Sequence, residues 1–296
     1  MADVPAYSYD DKAIREDLLD VMTNLSPTDT QLVAGLATST AKQIQHDWLT
    51  KTLTAVKTNA HVEGADASYN TLTNPARLIN YTQIFRQGYM VSDTERACNT
   101  AAFTDRYKLE ATQAMVEVKN DIEYALMRGS LVCGAGTTAR QLRGIKNWLS
   151  LVTSQSGITL TETILNDYFN LVWDNGTEVN AIYASMYIKR KISGFTAGST
   201  KNTNNTDRRL VNAVDVYEAD AAKMVKLFAH RHVTVSGDTN YDVVGVNEDL
   251  FRIAYFRKPK AEERAKTGDS TKGEVVTELT SECLHQYGGF WAQKHL

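Results

Sequence analysis

Two segments in the first hundred residues alternate between apolar and polar side chains. In residues 42–53, Ile44, His46 and Trp48 alternate with polar neighbours. Residues 79–91 repeat the pattern, because a largely aromatic face alternates with a polar one. The first face carries Ile79, Tyr81, Phe85, Tyr89 and Val91 together with Gln83 and Gln87, and the second carries Asn80, Thr82, Arg86 and Ser92. A period of two is typical of half-buried strands, so the two segments predict a two-stranded ribbon.

The connection between these two strands has 25 residues, 54–78, and shows no clear period. Connections of this length are uncommon in compact domains and are usually functional or mobile. With about a dozen residues in each strand, the ribbon would reach roughly 40 Å. A two-stranded ribbon is only marginally stable alone in water. Its aromatic face therefore needs cover, either from the rest of the chain or from a neighbouring subunit.

The strongest helical pattern covers residues 104–128, where an apolar stripe runs as far as Gly129, a typical C-terminal cap. Further helices are predicted for residues 14–25, for one turn leading from Ser26 to Leu36, for residues 161–174, and for residues 186–192 after the cap residue Ser185. Short strands are predicted at 179–184, 210–217 and 224–233. Near the C-terminus, Val275, Leu279 and Cys283 lie on one face, opposite Glu274, Glu278 and Glu282. Strands and helices do not interleave regularly, which indicates an α+β chain.

Composition excludes some classes of protein. Of 296 residues, 43% are hydrophobic and 23% are charged, which excludes a wholly disordered chain. The net charge of -3 argues against a polycation that binds nucleic acid non-specifically. Three widely spaced cysteines argue against a disulfide framework. The sequence contains neither a run of 18 apolar residues nor a signal-peptide pattern at its start, so no contact with a membrane is expected.

Candidate chemistry is sparse, and no cofactor motif is present. The Gly-Ala-Gly of residues 134–136 follows a helix and lacks the third glycine of a dinucleotide fingerprint. His230 and His232 would face the same way on a strand and could offer two imidazoles to a metal, but a third ligand is missing. Cys133 has no positioned histidine that would make it a nucleophile. Two basic tracts could contact phosphate, pair with acidic residues across an interface, or simply be solvated: Lys189, Arg190, Lys191, Lys201, Arg208 and Arg209, and Arg252, Arg257, Lys258, Lys260, Arg264 and Lys266.

The order of these elements, with several local blocks of sequence, resembles one family. The blocks are residues 15–21 with 25–30, 192–195, 209–217 and 265–270. In this order they are similar to one branch of the major capsid proteins of tailed bacteriophages, which have the Hong Kong 97-type fold. The resemblance covers nearly the whole chain.

The resemblance implies a division of the chain and a set of contacts. Residues 1–36 would be an N-terminal arm, 37–92 the extended loop, 93–155 with 247–296 the peripheral domain, and 156–246 the axial domain. Residues 104–128 would be the spine helix of the peripheral domain. Because the extended loop would overlap a neighbouring subunit, the candidate intersubunit contacts are Trp48, Lys57, Tyr81, Phe85, Arg86 and Tyr89.

The function implied is structural and not enzymatic. The chain would form hexamers and pentamers of an icosahedral head that encloses double-stranded DNA, with a portal and with possible scaffolding and decoration proteins as partners. It would be assembled in the host bacterial cytoplasm and reside in the virion. Many relatives carry a long scaffolding segment before the arm, whereas here the arm begins almost at Met1, so a separate scaffolding protein or none is expected. Lys57 matches no known crosslinking position, and no covalent crosslink is expected.

Two alternatives remain open at this point. A nanocompartment shell of the same fold, similar to an encapsulin, would enclose a protein cargo in place of a genome. A metal-dependent α+β enzyme would use His230 and His232 with a further carboxylate.

Overall fold

The computed structural model describes residues 29–67, 69, 71–98, 105–195, 216–219, 222–234 and 240–295. The helix predicted at 14–25, most of the strand predicted at 210–217, and three residues of the first basic tract, Lys201, Arg208 and Arg209, lie outside the described residues.

Six α-helices are present in the described residues, and the three longest confirm helices expected from the sequence. Their bounds are α1 (Gln31–Gly35), α2 (Asp93–Ala97), α3 (Arg106–Arg128), α4 (Ile145–Trp148), α5 (Glu162–Asp174) and α6 (Met186–Ser193). The predicted cap of α6 is also confirmed, because the Ser185 side chain accepts a hydrogen bond from the Ile188 amide.

Twelve strands in the described residues form three sheets. Their bounds are β1 (Ala37–Thr40), β2 (Gln45–Thr50), β3 (Ala76–Tyr81), β4 (Gln83–Ser92), β5 (Leu151–Ile158), β6 (Ala181–Ala184), β7 (Val216–Ala219), β8 (Ala222–Ala229), β9 (Tyr241–Val246), β10 (Phe251–Arg264), β11 (Ser270–Cys283) and β12 (Gly289–His295). The sheet orders are β1-β10-β11-β4, β5-β12-β9-β6-β8-β7, and β2-β3 alone.

The first sheet is built around the hairpin of β10 and β11, and α3 packs against it. On β11 the residues Val275, Leu279 and Cys283 are fully buried, as the alternation predicts. The apolar stripe of α3, which includes Val118, Ile122 and Leu126, contributes to the same core. The opposite face of β11 carries the glutamates expected there, but Glu278 and Glu282 are buried as well.

The second sheet has a separate core beneath α5 and α6. Leu165 and Phe169 of α5 and Ile188 of α6 contribute to this core. The last strand, β12, lies between β5 and β9 of this sheet, although the sequence grouped residues 247–296 with the peripheral domain. Its side chains alternate between the two cores: Phe290 belongs to the second and Trp291 to the first. By strand pairing, β12 therefore joins the second sheet, and its buried side chains connect the two cores.

The close contact between β9 and β12 depends on Gly245, which is paired with Phe290. A Cβ atom at position 245 would lie 2.3 Å from Phe290 Cε1. We expect Gly245→Ala to lower the free energy of unfolding by about 1–3 kcal/mol, the usual cost of overpacking a core. Urea titration measures this change. The matched control is Gly88→Ala on β4, where the nearest atom to the new Cβ would be 4.0 Å away, and an equal loss in both variants would contradict the packing argument.

The ribbon is present, but its strands differ from those predicted. Only six residue pairs join β2 to β3, from Gln45 opposite Tyr81 to Thr50 opposite Ala76. At 3.4 Å per residue the paired part spans roughly 20 Å, half the predicted length. The predicted strand 79–91 divides at Thr82, whose amide donates to the Ile44 carbonyl at 2.9 Å, and β4 then pairs with β11.

The buried face also changes at Thr82: the buried residues are even-numbered up to this point and odd-numbered after it. Asn80 and Thr82 are fully buried, whereas Phe85 and Val91 are the buried residues of β4. The expected polar face is thus exposed on β4 only. The buried aromatic residue of β4 is covered by the chain itself, not by a neighbour.

Candidate functional site

The central part of the extended loop, residues 45–81, exposes a series of large apolar side chains. Their exposed fractions run from 66% to 103%, and we call them the loop apolar set: Leu49, Leu53, Val56, Val62, Tyr69 and Leu72. Single exposed apolar residues are normal on a protein surface, but several together on one segment mark an interaction site. The loop therefore offers a surface that its own fold does not cover.

Asn80, at the base of this loop, connects three parts of the chain. It is fully buried, and its amide nitrogen donates to the Ser281 carbonyl at 2.7 Å and to the Ser281 hydroxyl at 3.0 Å. Its amide oxygen accepts from the backbone N–H groups of Arg143 and Tyr81, both at 2.9 Å. Both ends of the Asn80 side chain are thus satisfied, which fixes β3 against β11 and against the start of α4.

Trp48 fixes the other strand of the ribbon. Its indole N–H donates to the Cys283 carbonyl at 2.9 Å, and its ring lies 5.3 Å from that of the buried Trp148. The Arg143 guanidinium lies 4.4 Å from the Trp148 ring centroid, and burial lowers the pKa of Arg143. Burial also raises the pKa of the Cys283 thiol to about 12, which keeps it neutral.

Two buried glutamates of β11 complete the base. Glu282 accepts a hydrogen bond from the Ser39 hydroxyl at 2.6 Å, and its Oε1 lies 2.7 Å from His46 Nε2. Glu278 accepts from the Thr82 hydroxyl at 2.7 Å and from Arg140 Nη2 at 2.7 Å. Its second oxygen accepts from Arg257 Nε at 3.0 Å. Because buried carboxylates are stable only when paired, both glutamates lock the loop base to the first sheet.

A groove of about 670 Å³ lies between the loop base and the glycine-rich segment 133–140. Ile44, Tyr81, Ile84 and Cys133 line it, and both isoleucines are about half exposed. A hydrogen bond with Cys133, and then burial, raise the pKa of Tyr81, so its hydroxyl stays protonated. The groove contains no nucleophile with a positioned base and is best described as part of the surface around the loop.

The six candidate intersubunit contacts occupy different environments. Phe85 is 6% exposed and belongs to the core, and Trp48 contacts the chain's own Trp148. Tyr89 packs on Tyr107 with ring centroids 5.1 Å apart, and burial raises the pKa of Tyr89 to about 12. Half-buried Tyr81 lines the groove, whereas Lys57 and Arg86 are exposed.

The apolar residues within the loop itself are not among the intersubunit contacts expected from the sequence. Their only signal was the presence of scattered large side chains in a long connection without a period: Leu53, Val56, Val62 and Leu72. Exposure distinguishes them from Phe85, which has the same hydrophobic character but is buried.

His230 and His232, the two histidines of the metal-dependent enzyme alternative, each contact another side chain of the chain. His230 is buried, with Nε2 2.9 Å from Glu123 Oε1, and His232 packs edge-on to Tyr124. Within the described ranges, no group of three or more His, Cys, Asp or Glu side chains could hold a metal ion.

None of the helices in the described part of the chain is long and apolar enough to cross a membrane.

The second basic tract pairs largely within the chain. Arg257 contacts Glu278, Arg264 contacts Glu274, and Lys266 contacts Asp93. Hydrogen bonds from Lys266, and then from Thr271, lower the pKa of the Asp93 carboxyl group. These ion pairs connect β10, β11 and the start of α2.

Comparison with known proteins gives consistent matches. The profile of the family described as SU10 major capsid protein matches residues 5–294. A curated relative, the major capsid protein of Escherichia phage Phieco32, is 34% identical over 128 residues, which is 41% of this chain and 35% of that protein. The alignment thus spans about a third of the curated relative's length.

Solved structures share the fold at low sequence identity. A chain of Gordonia phage Cozz has 12% identity and a TM-score of 0.67, covering 96% of this chain and 92% of that chain. The capsid of the native GTA particle has 10% identity and a TM-score of 0.68, covering 96% of both chains. The holo-SrpI encapsulin complex from Synechococcus elongatus has 10% identity and a TM-score of 0.62, covering 99% of this chain and 96% of that chain.

The fold and the profile lead to the same assignment. The GTA match is a capsid and the Synechococcus elongatus match is an encapsulin, and the likeness in fold extends over nearly the whole chain. The chain therefore belongs to the SU10 major capsid protein family and has the Hong Kong 97-type capsid fold that its sequence resemblance implied.

Proposed function

We propose that this chain assembles with copies of itself, as hexamers and pentamers, into an icosahedral head that encloses double-stranded DNA. The observation that carries the proposal is the loop apolar set, which is exposed on a segment whose base is rigidly bonded to the first sheet. Membership of a capsid protein family supports it.

The energetics favour burial of this loop on a neighbour. Burying a large apolar side chain contributes about 1.5–3 kcal/mol, so the loop apolar set would supply much of the free energy of one contact. The buried polar groups of the loop base are hydrogen-bonded within the chain itself, so the base needs no partner subunit in order to fold. The folded subunit and the assembled shell are then linked states, so assembly stabilises the subunit by mass action.

The division into arm, extended loop, peripheral domain and axial domain is part of the proposal. In this division, β12 goes with the axial domain because it pairs in the second sheet, and residues 106–128 form the spine helix. Lys57, exposed in the loop, and Arg86, exposed on β4, are the polar candidates for contact with a neighbour. A portal, scaffolding or decoration proteins, and assembly in the host cytoplasm, follow from the same family reading.

The triple variant Leu53→Ser, Val56→Ser and Leu72→Ser tests the role of the loop apolar set. We expect at least a tenfold lower yield of closed shells, because the variant loses apolar area that only assembly would bury. Stability of the unassembled subunit should change by less than about 0.5 kcal/mol per site, as is usual for surface substitutions. Sedimentation and electron microscopy measure the shells, and urea titration measures the stability.

A second triple variant in the same loop provides the control. Asn59→Ala, Thr71→Ala and Thr73→Ala change exposed polar residues and should leave the shell yield unchanged. Wild-type yield from the serine variant would contradict the proposed contact surface.

The nanocompartment alternative rests on the shared fold with the encapsulin chain. Purified shells distinguish the two functions by their contents. Nuclease-resistant double-stranded DNA of genome length supports the head, whereas a stoichiometric protein cargo without nucleic acid supports the nanocompartment.

A further inference from the structure

The described chain begins beside a short helix that is capped by a distant residue. The amides of Leu32 and Val33, at the start of α1, donate to the two carboxylate oxygens of Glu123 at 2.8 and 2.9 Å. The local cap residue, Thr30, makes no side-chain hydrogen bond to the helix. Helix caps normally come from the residue that precedes the helix. Here the cap comes from the middle of α3, about 90 residues further along the chain.

The same carboxylate also contacts the second sheet. His230 follows β8, and its amide donates to the Ala184 carbonyl of β6 at 2.8 Å. His230 Nδ1 accepts from the His232 amide at 3.2 Å, so the ring proton lies on Nε2, which donates to Glu123 at 2.9 Å. Glu123 is fully buried and receives one donor from the second sheet and two from α1.

The opposite end of α1 lies against residues that surround His230. A Cβ atom at Gly35 would lie 3.3 Å from Glu248 Oε1, which accepts a hydrogen bond from the Tyr183 hydroxyl. The Tyr183 ring packs edge-on to His230, with ring centroids 5.7 Å apart. Leu32 is fully buried in the first core. The helix α1 therefore contacts α3 on one side and lies beside the second sheet on the other.

We propose that Glu123 is a latch that couples the position of the second sheet to the position of α1. A buried carboxylate is costly unless its charge is compensated. The carboxylate can hold α1 only while His230 supplies its third donor. Displacement of His230 with the second sheet therefore loosens α1, and release of α1 loosens His230, since such coupling is reciprocal. This inference concerns the subunit itself and does not depend on the proposed shell.

Hydrogen exchange on the full chain tests the latch. In Glu123→Gln one carboxylate oxygen becomes an NH₂ group, which accepts no hydrogen bond. Either Val33, or both Leu32 and His230, therefore lose their acceptor. We expect exchange of the peptide covering residues 30–36 to accelerate roughly 10- to 100-fold, from the usual strength of hydrogen bonds to charged groups. Exchange in β11 should stay within about twofold of wild type. Glu117→Gln, an exposed glutamate on the same helix, is the matched control and should change neither peptide.

A second variant separates coupling from simple destabilisation. His230→Phe keeps a ring against Tyr183 but removes the donor to Glu123, and it too should accelerate exchange of residues 30–36. The double variant should exchange no faster than the faster single variant, because both changes break the same unit. Wild-type exchange in α1 for either single variant, additive effects in the double variant, or equal acceleration in β11 would each overturn the proposal.

Discussion

Deletion of residues 57–74 is expected to abolish closed shells and to leave a folded subunit. The deletion removes Val62, Tyr69 and Leu72 from the loop apolar set, and with them much of the surface proposed to meet a neighbour. Residues 51–56 and Pro75 would still connect β2 to β3, and this connection is longer than the roughly two to five residues that a hairpin loop needs. The bonds that fix the loop base come from Trp48, Asn80 and Thr82, and all three remain.

Two measurements follow this variant. Sedimentation and electron microscopy report on shells, while circular dichroism and urea titration report on the subunit, whose unfolding midpoint should stay close to that of wild type. A control that replaces residues 57–74 by an equally long Gly-Ser segment separates loop length from apolar content, and it should also fail to assemble. Shells at wild-type yield from the deletion would show that the loop does not join subunits.

Substitution of Asn80 is expected to give the largest loss of stability among single changes in the loop base. Asn80→Ala would leave the Arg143 and Tyr81 amides and the Ser281 carbonyl without their buried partner. Since each unsatisfied buried group costs about 1–3 kcal/mol and three groups lose their partner, we expect the free energy of unfolding to fall by at least roughly 3 kcal/mol.

Urea titration of the unassembled subunit measures this loss through the unfolding midpoint. Asn59→Ala, in the exposed part of the loop, is the matched control, because the Asn59 side chain is exposed and hydrogen-bonds to the exposed His61. Its midpoint should not move. An unchanged midpoint for Asn80→Ala would mean that the ribbon is not anchored through this side chain.

The helices could be predicted well because their signals are local. The stripe of α3 and the cap of α6 at Ser185 each lie within one short segment, and the structure confirms both. On β11 alternation alone indicated the apolar face, although Glu278 and Glu282 on the opposite face are buried as well. Periodicity identifies an element and its buried face, however, and not the partner that buries it.

The errors concern partners that are distant in sequence. The alternation of residues 79–91 continues through Thr82. The pairing partner, however, changes there from β2 to β11. Asn80 and Thr82 resembled a solvent face, and their burial depends on Ser281 and Glu278, about 200 residues away. The cap of α1 by Glu123 is hidden for the same reason. No local pattern could have indicated these contacts.

The position of the exposed loop was predictable from the sequence, but which of its side chains are exposed was not. The long connection between two strands indicated a functional segment, which agrees with the exposed loop in the structure. The aromatic residues selected by alternation are partly buried within the chain, as Phe85 shows. Exposure, which decides what a neighbour can contact, required the three-dimensional fold.

Electron microscopy of the purified protein, with light scattering across concentration and salt, tests the central claim most directly. The account predicts uniform closed shells, or ring-shaped hexamers and pentamers. A strictly monomeric and compact particle under every condition would mean that the loop apolar set needs no neighbour, and it would contradict the proposed assembly.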